Sequence, residues 1–81
     1  MSQPLINIGR NMQSSDLLIN NDNFVGRNHA LVYMKDSKFF LVDLASRNGT
    51  WINGQKLTGQ KELPEECEIQ LGQTILHFST L

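Results

Sequence analysis

With 81 residues, 40% of them hydrophobic and 19% charged, the chain has material for one small domain and not for two, since so short a polypeptide buries only about 60% of its unfolded surface. No apolar run approaches the ~20 residues that cross a bilayer, so membrane insertion is not expected. Seven Lys and Arg against eight Asp and Glu leave a net charge of −1, which removes the electrostatic footprint of a nucleic-acid binder and leaves local charge to be read.

Along the chain the apolar residues recur in twos, and no stretch carries the spacing of an amphipathic helix. Eight short strands are predicted: Leu5 to Ile8, Leu17 to Ile19, His29 to Met34, Phe39 to Leu44, Thr50 to Ile52, Gln55 to Leu57, Glu68 to Leu71 and Thr74 to Phe78. Alternation assigns the core to Ala30, Val32 and Met34, then Phe40, Val42 and Leu44, then Ile69 with Leu71 and Leu76 with Phe78. It places Trp51 on an outer face and turns His77 outward. The intervening segments carry turn chemistry. Asp36-Ser37 joins paired strands, Asn53-Gly54 predicts a two-residue type I′ hairpin, and Gly72-Gln73 precedes the last strand. Ser14-Ser15-Asp16 leads into the second strand, and Pro64-Glu65-Glu66 marks an acidic surface loop. Short strands with this punctuation predict an all-β sandwich, mainly antiparallel, as a single domain over residues 1–81.

The cations are not evenly spread. All three arginines sit in loops beside Gly or Asn, as Gly9-Arg10-Asn11, Gly26-Arg27-Asn28 and Ser46-Arg47-Asn48-Gly49, whereas the four lysines are scattered. A guanidinium offers a planar fork of donors suited to phosphate or carboxylate, and Gly/Asn loops expose backbone N–H groups that form anion-binding nests. If the three loops share one end of a sandwich, they form a receptor for a polyanion. Composition alone supports equally a set of solvated surface arginines.

Four segments, Ile8-Gly9-Arg10, Gly26 to Ala30 (GRNHA), Asp43 to Gly54 (DLASRNGTWING) and Glu68 to Phe78 (EIQLGQTILHF), together resemble the forkhead-associated (FHA) domain in order and spacing over nearly the whole chain. The resemblance implies a β-sandwich that binds phosphothreonine peptides through loops at one end, and so a protein-interaction module of signalling or assembly. On this resemblance Arg10 is the phosphate-binding arginine and Gly9 the glycine that allows its turn. His29 supports the binding loop from inside, and Asn48 grips the peptide backbone beside the phosphothreonine. Gly49 and Gly54 are turn glycines. Arg27 and Arg47 fall at rim positions that in relatives touch the peptide, which implies added charge and selectivity for acidic flanks.

Three departures from the family pattern stand out. Gly26 occupies a position where relatives usually carry a serine whose hydroxyl binds phosphate. Losing that charge-assisted bond costs about 1.5–3 kcal/mol, or roughly 10- to 100-fold in affinity. An exposed Gly26 N–H or Arg27 is expected to replace part of it. The alternative is a phospho-independent FHA-like scaffold or assembly module. Second, Glu66-Cys67 stand where relatives carry a Gly-Asp turn. Third, relatives have another strand ahead of the Gly-Arg loop, and only Met1 to Leu5 remain here to supply it. That reads as an excised or minimal domain with an open sheet edge, prone to strand exchange or homodimer formation.

Nothing in the chain supplies paired carboxylates, a nucleophile elbow or a phosphate loop opening a helix, so no enzyme activity and no cofactor are expected. Cys67, His29 and His77 lack zinc spacing, so no metal is expected. The lone Cys67 cannot form an internal disulfide, and no basic-apolar leader opens the sequence, which makes a reducing cytoplasm the expected setting.

Overall fold

Nine strands and no helix make up residues 5–81, the part of the chain described by the computed structural model. They are β1 Leu5–Gly9, β2 Leu17–Leu18, β3 Ala30–Lys35, β4 Lys38–Asp43, β5 Thr50–Ile52, β6 Gln55–Lys56, β7 Gln60–Glu62, β8 Glu66–Leu71 and β9 Thr74–Ser79. One sheet has the order β2-β1-β3-β4-β7 and the other β6-β5-β8-β9. All pairs are antiparallel except β1 with β2, so the architecture is the expected all-β sandwich.

Between the sheets lies one apolar cluster. Ile8, Ala30, Val32 and Leu41 come from the five-stranded sheet, and Ile52, Cys67, Ile69 and Leu71 from the four-stranded one. Val25 and Ile19 seal its loop end, and Phe39, Leu76 and Phe78 pack on its margin. The expected β4 face of Phe40, Val42 and Leu44 is corrected by the register. Val32 lies opposite Leu41, and Tyr33 lies opposite Phe40. Leu41 therefore points inward and is fully buried, whereas Phe40 stacks on Tyr33 at 5.2 Å on the outer face. Phe39-Phe40-Leu41-Val42 is apolar on both faces, and alternation cannot orient such a run.

Other boundaries move as well. β7 is a ninth strand that the sequence pattern did not predict, because Gln60-Lys61-Glu62 is polar throughout and has nothing to alternate. It pairs with Phe40 to Val42 at a sheet edge, where charged residues keep an exposed strand from recruiting another chain. β8 begins at Glu66 and buries Cys67, so the departure at Glu66-Cys67 is continuous strand and not a variant turn. The Asn53-Gly54 hairpin has φ of 49° and 81°, as a type I′ turn requires. The additional first strand expected ahead of Gly9-Arg10 falls on Met1 to Pro4, outside the described residues, and Leu5 belongs to β1. Among the described residues β9 pairs only with β8, beside a mouth lined by Ile6, Leu17, Leu76 and Phe78.

The register also places the loops. Ile8 aligns with Ala30 and Ala30 with Asp43 across one sheet, and Thr50 aligns with Leu71 across the other. The segments after β1, before β3, after β4 and after β8 therefore leave from the same end of the sandwich.

Candidate functional site

At that end Arg10, Asn23, Phe24, Val25, Gly26, Arg47 and Asn48 line a depression of about 270 Å3. It joins three stretches far apart in sequence: the first residue after β1, the middle of the β2–β3 loop, and the β4–β5 loop.

Gly9 makes the first junction possible. A Cβ there would lie 2.0 Å from the Arg27 carbonyl oxygen, so the end of β1 lies directly against the 26–29 segment. Backbone bonds hold it there: Arg10 N–H donates to Gly26 O, Asn11 N–H to Arg27 O and His29 N–H to Ile8 O. The Arg10 side chain then turns over the β2–β3 loop, where its Nε donates to the Val25 carbonyl. This fixes the stem of the guanidinium and leaves its terminal nitrogens for a ligand. Among the described residues no arginine pairs with a carboxylate.

His29 ties the other two loops together from inside the fold. It is fully buried, accepts from Gly26 N–H at Nδ1 (2.8 Å), and lies 2.9 Å through Nε2 from the Gly49 carbonyl. Both bonds form when Nε2 carries the proton and Nδ1 does not. The arrangement corrects one expectation: the Gly26 N–H is taken by His29 and is not an exposed donor. A Cβ at Gly26 would meet that ring at an ordinary 3.6 Å, so nothing local requires glycine for space.

The β4–β5 loop is built on Asp43. Its carboxylate accepts from Ser46 N–H and Ser46 Oγ and, at 2.7 Å, from Thr50 Oγ1, and Ser46 Oγ accepts in turn from Gly49 N–H at 3.1 Å. Burial raises the Asp43 pKa, but these bonds outweigh it and hold the group below its ordinary value. Gly49 takes φ of 90° at the loop end. The result aims Asn48 across the gap, where Nδ2 donates to the Phe24 carbonyl at 2.9 Å.

A second carboxylate, Asp22, does the same for the β2–β3 loop. Its oxygens accept from Phe24 N–H (2.9 Å), Gln73 N–H (2.7 Å) and Thr74 Oγ1 (2.7 Å), which pins the loop to the β8–β9 turn. The Thr74 hydroxyl is the largest influence lowering its pKa.

Of the residues singled out from sequence, Arg10, Gly26, Arg47 and Asn48 meet in the depression, with Gly9, His29 and Gly49 behind it. Arg27 does not line it; its backbone packs on β1 and its side chain is exposed. Gly54 belongs to the β5–β6 turn, at the far end of β5 from Gly49. Asn23, Phe24 and Asp22 were not anticipated. The run Asn20-Asn21-Asp22-Asn23 was a legible turn signal, but only the fold shows which oxygens face inward.

The FHA-domain family model matches residues 6–72. The mouse sarcolemmal membrane-associated protein is 43% identical over 86% of this chain, although the chain spans only 9% of that protein. The FHA domain of the CT664 protein from Chlamydia trachomatis superposes with a TM-score of 0.86 at 26% identity, covering 100% of this chain and 81% of that one. The N-terminal FHA domain of S. cerevisiae Rad53p, in complex with a phosphothreonine peptide, gives 0.82 at 26% identity, covering 99% and 72%. The Gly9-Arg10 junction, the buried histidine tie and the loop built on Asp43 thus sit in a sandwich whose sequence and shape agree with one family, and the chain belongs to the FHA domains, which are protein-interaction modules.

Proposed function

We propose that this chain binds phosphothreonine-containing segments of a partner protein in the depression between Arg10, Arg47 and Asn48. The carrying observation is the convergence there of two arginines that have no carboxylate partner among the described residues, one of them held by Val25. A phosphate ester carries about −1.5 to −2 charges, and paired guanidiniums on a preformed surface suit it better than one mobile cation. The Rad53p complex supports the reading by similarity. Asn48, half-committed to Phe24 O, keeps its amide oxygen for a peptide N–H.

Gly26 favours a second reading. It supplies no hydroxyl, and its N–H is occupied by His29, so the phosphate contacts rest on the arginines. In that reading the same surface holds an unphosphorylated partner as a scaffold. Calorimetric titration with phosphothreonine, phosphoserine and threonine versions of one peptide library separates the two. Phosphothreonine-selective binding is expected, and equal binding of phosphorylated and plain twins would leave only the scaffold.

A further inference from the structure

Gly49 is buried although the two residues before it, Arg47 and Asn48, are exposed. A Cβ on Gly49 would lie 3.0 Å from Trp51 Cη2, 3.3 Å from Trp51 Cζ3 and 3.1 Å from Lys56 Cε, so the far edge of the indole and the end of the lysine stem rest on the bare backbone of the β4–β5 loop. We propose that Trp51 is a positioning residue for peptide binding, which acts through Gly49 to hold Asn48 toward the ligand; the proposal rests on the phosphothreonine reading above.

Strand register puts the ring there. Trp51 lies between Lys56 on β6 and Gln70 on β8, and its neighbours Thr50 and Ile52 are buried, so Trp51 takes the outer face of the four-stranded sheet, as alternation predicts. Lys56 is exposed, and its stem lies beside the ring on Gly49 while its charge stays in water. Any side chain at position 49 would displace both, so the glycine is what admits the indole to the loop.

Gly49 is thereby held from two sides by different chemistry. On the inside its carbonyl lies 2.9 Å from His29 Nε2, and its N–H donates to Ser46 Oγ at 3.1 Å. On the outside there is only the apolar cover. Asn48 needs that cover because it is exposed, and its one recorded side-chain bond, Nδ2 to the Phe24 carbonyl, competes with water. The next residue is a glycine at φ of 90°, free to adopt other conformations at little cost. A ring closing the solvent side restricts the Asn48-Gly49 peptide to one seating, and a ligand then meets Asn48 already ordered.

The test compares the parent chain with Trp51→Leu, Trp51→Tyr and Asn48→Ala, and with Asn48→Ala combined with Trp51→Leu. Trp51→Leu keeps an apolar side chain on the strand but is too short to cover Gly49, and it is expected to weaken phosphothreonine-peptide binding about 5- to 10-fold, the size of one hydrogen bond. Trp51→Tyr, with a ring of nearly the original reach, should stay within about 3-fold of the parent. Asn48→Ala should cost about 10-fold in the parent but no more than about 2-fold in the Trp51→Leu background, because both changes remove the same contact. In the free chain, NMR should show the Asn48 side-chain amide signals moving toward those of a solvated asparagine in Trp51→Leu and holding their place in Trp51→Tyr. Losses of affinity that simply add, or unmoved Asn48 signals in folded Trp51→Leu, overturn the positioning role and leave the phosphothreonine reading standing; a lower melting temperature without the coupling does the same. Absence of binding to every phosphorylated peptide by the folded parent overturns that reading, and the part of Trp51 in it.

Discussion

Arg10 is exposed and its one recorded side-chain bond is Nε to the Val25 carbonyl, so removing the side chain should disturb the ligand far more than the fold. Arg10→Ala is expected to weaken phosphothreonine-peptide binding at least about tenfold, as for loss of one charge-assisted hydrogen bond, while stability changes by about 1 kcal/mol or less. Unchanged affinity in a titration would remove Arg10 from the site. Gly26 makes the complementary case. Its φ is not in the left-handed region, and a Cβ meets only ordinary contact with His29, so a serine is accommodated. Gly26→Ser is expected to tighten phosphopeptide binding by roughly tenfold through a new hydroxyl donor. A weaker complex would mean that the loop depends on glycine for reasons its contacts do not reveal.

β1 and the loops around it explain why two residues, Gly9 and His29, carry much of the architecture. Gly9→Ala places a methyl 2.0 Å from the Arg27 carbonyl, a backbone atom in a segment held by three bonds to β1 and Arg10–Asn11, so the strand must separate from the loop. Thermal melting should show a destabilisation of several kcal/mol, on the order of 3 or more, as for severe overpacking. His29→Ala should leave Gly26 N–H and Gly49 C=O without their partner inside the fold, costing about 1–3 kcal/mol for each group that stays dry. A melting temperature equal to the parent's would show that water replaces the ring. Sequence patterns read these elements unevenly. Ala30 and Val32 do face the core as expected, with Leu31 and Tyr33 between and beyond them only half-buried, whereas β4 is apolar on both faces and β7 on neither, so periodicity held no information at those two strands.

For the molecule as a whole, the two structural carboxylates set the response to acid. Asp22 and Asp43 both titrate below the ordinary carboxyl value when folded, Asp22 chiefly through Thr74 and Asp43 through Ser46 and Thr50 against the opposing effect of burial. Unfolded aspartates titrate near ~3.9. The stabilisation is therefore fully present above that pH and is lost as pH falls through the lower folded values. Melting temperature should be level above about pH 5 and fall below about pH 4. Asp22→Asn should lower the neutral plateau and flatten that acid limb, because an amide NH2 would face the donors of Gln73 and Thr74; an acid limb as steep as the parent's would show that Asp22 does not drive it.

The succession of every strand but β7, the turns at Asn53-Gly54 and Gly72-Gln73 and the family pattern around Arg10, His29 and Asn48 were readable in one dimension, because turn chemistry and alternation are local properties of the chain. The loops' shared end follows from strand register, and register is a relation between strands. The same holds for the fate of the Gly26 N–H, for the exclusion of Arg27 from the depression that Arg47 enters, and for Phe24 clamped between Asp22 and Asn48. The His29 ring that takes the Gly26 N–H is anchored on Gly49, 20 residues on, Asn48 reaches Phe24 across 24 residues and Asp22 reaches Gln73 across 51, and only the packed sandwich brings those partners within bonding distance.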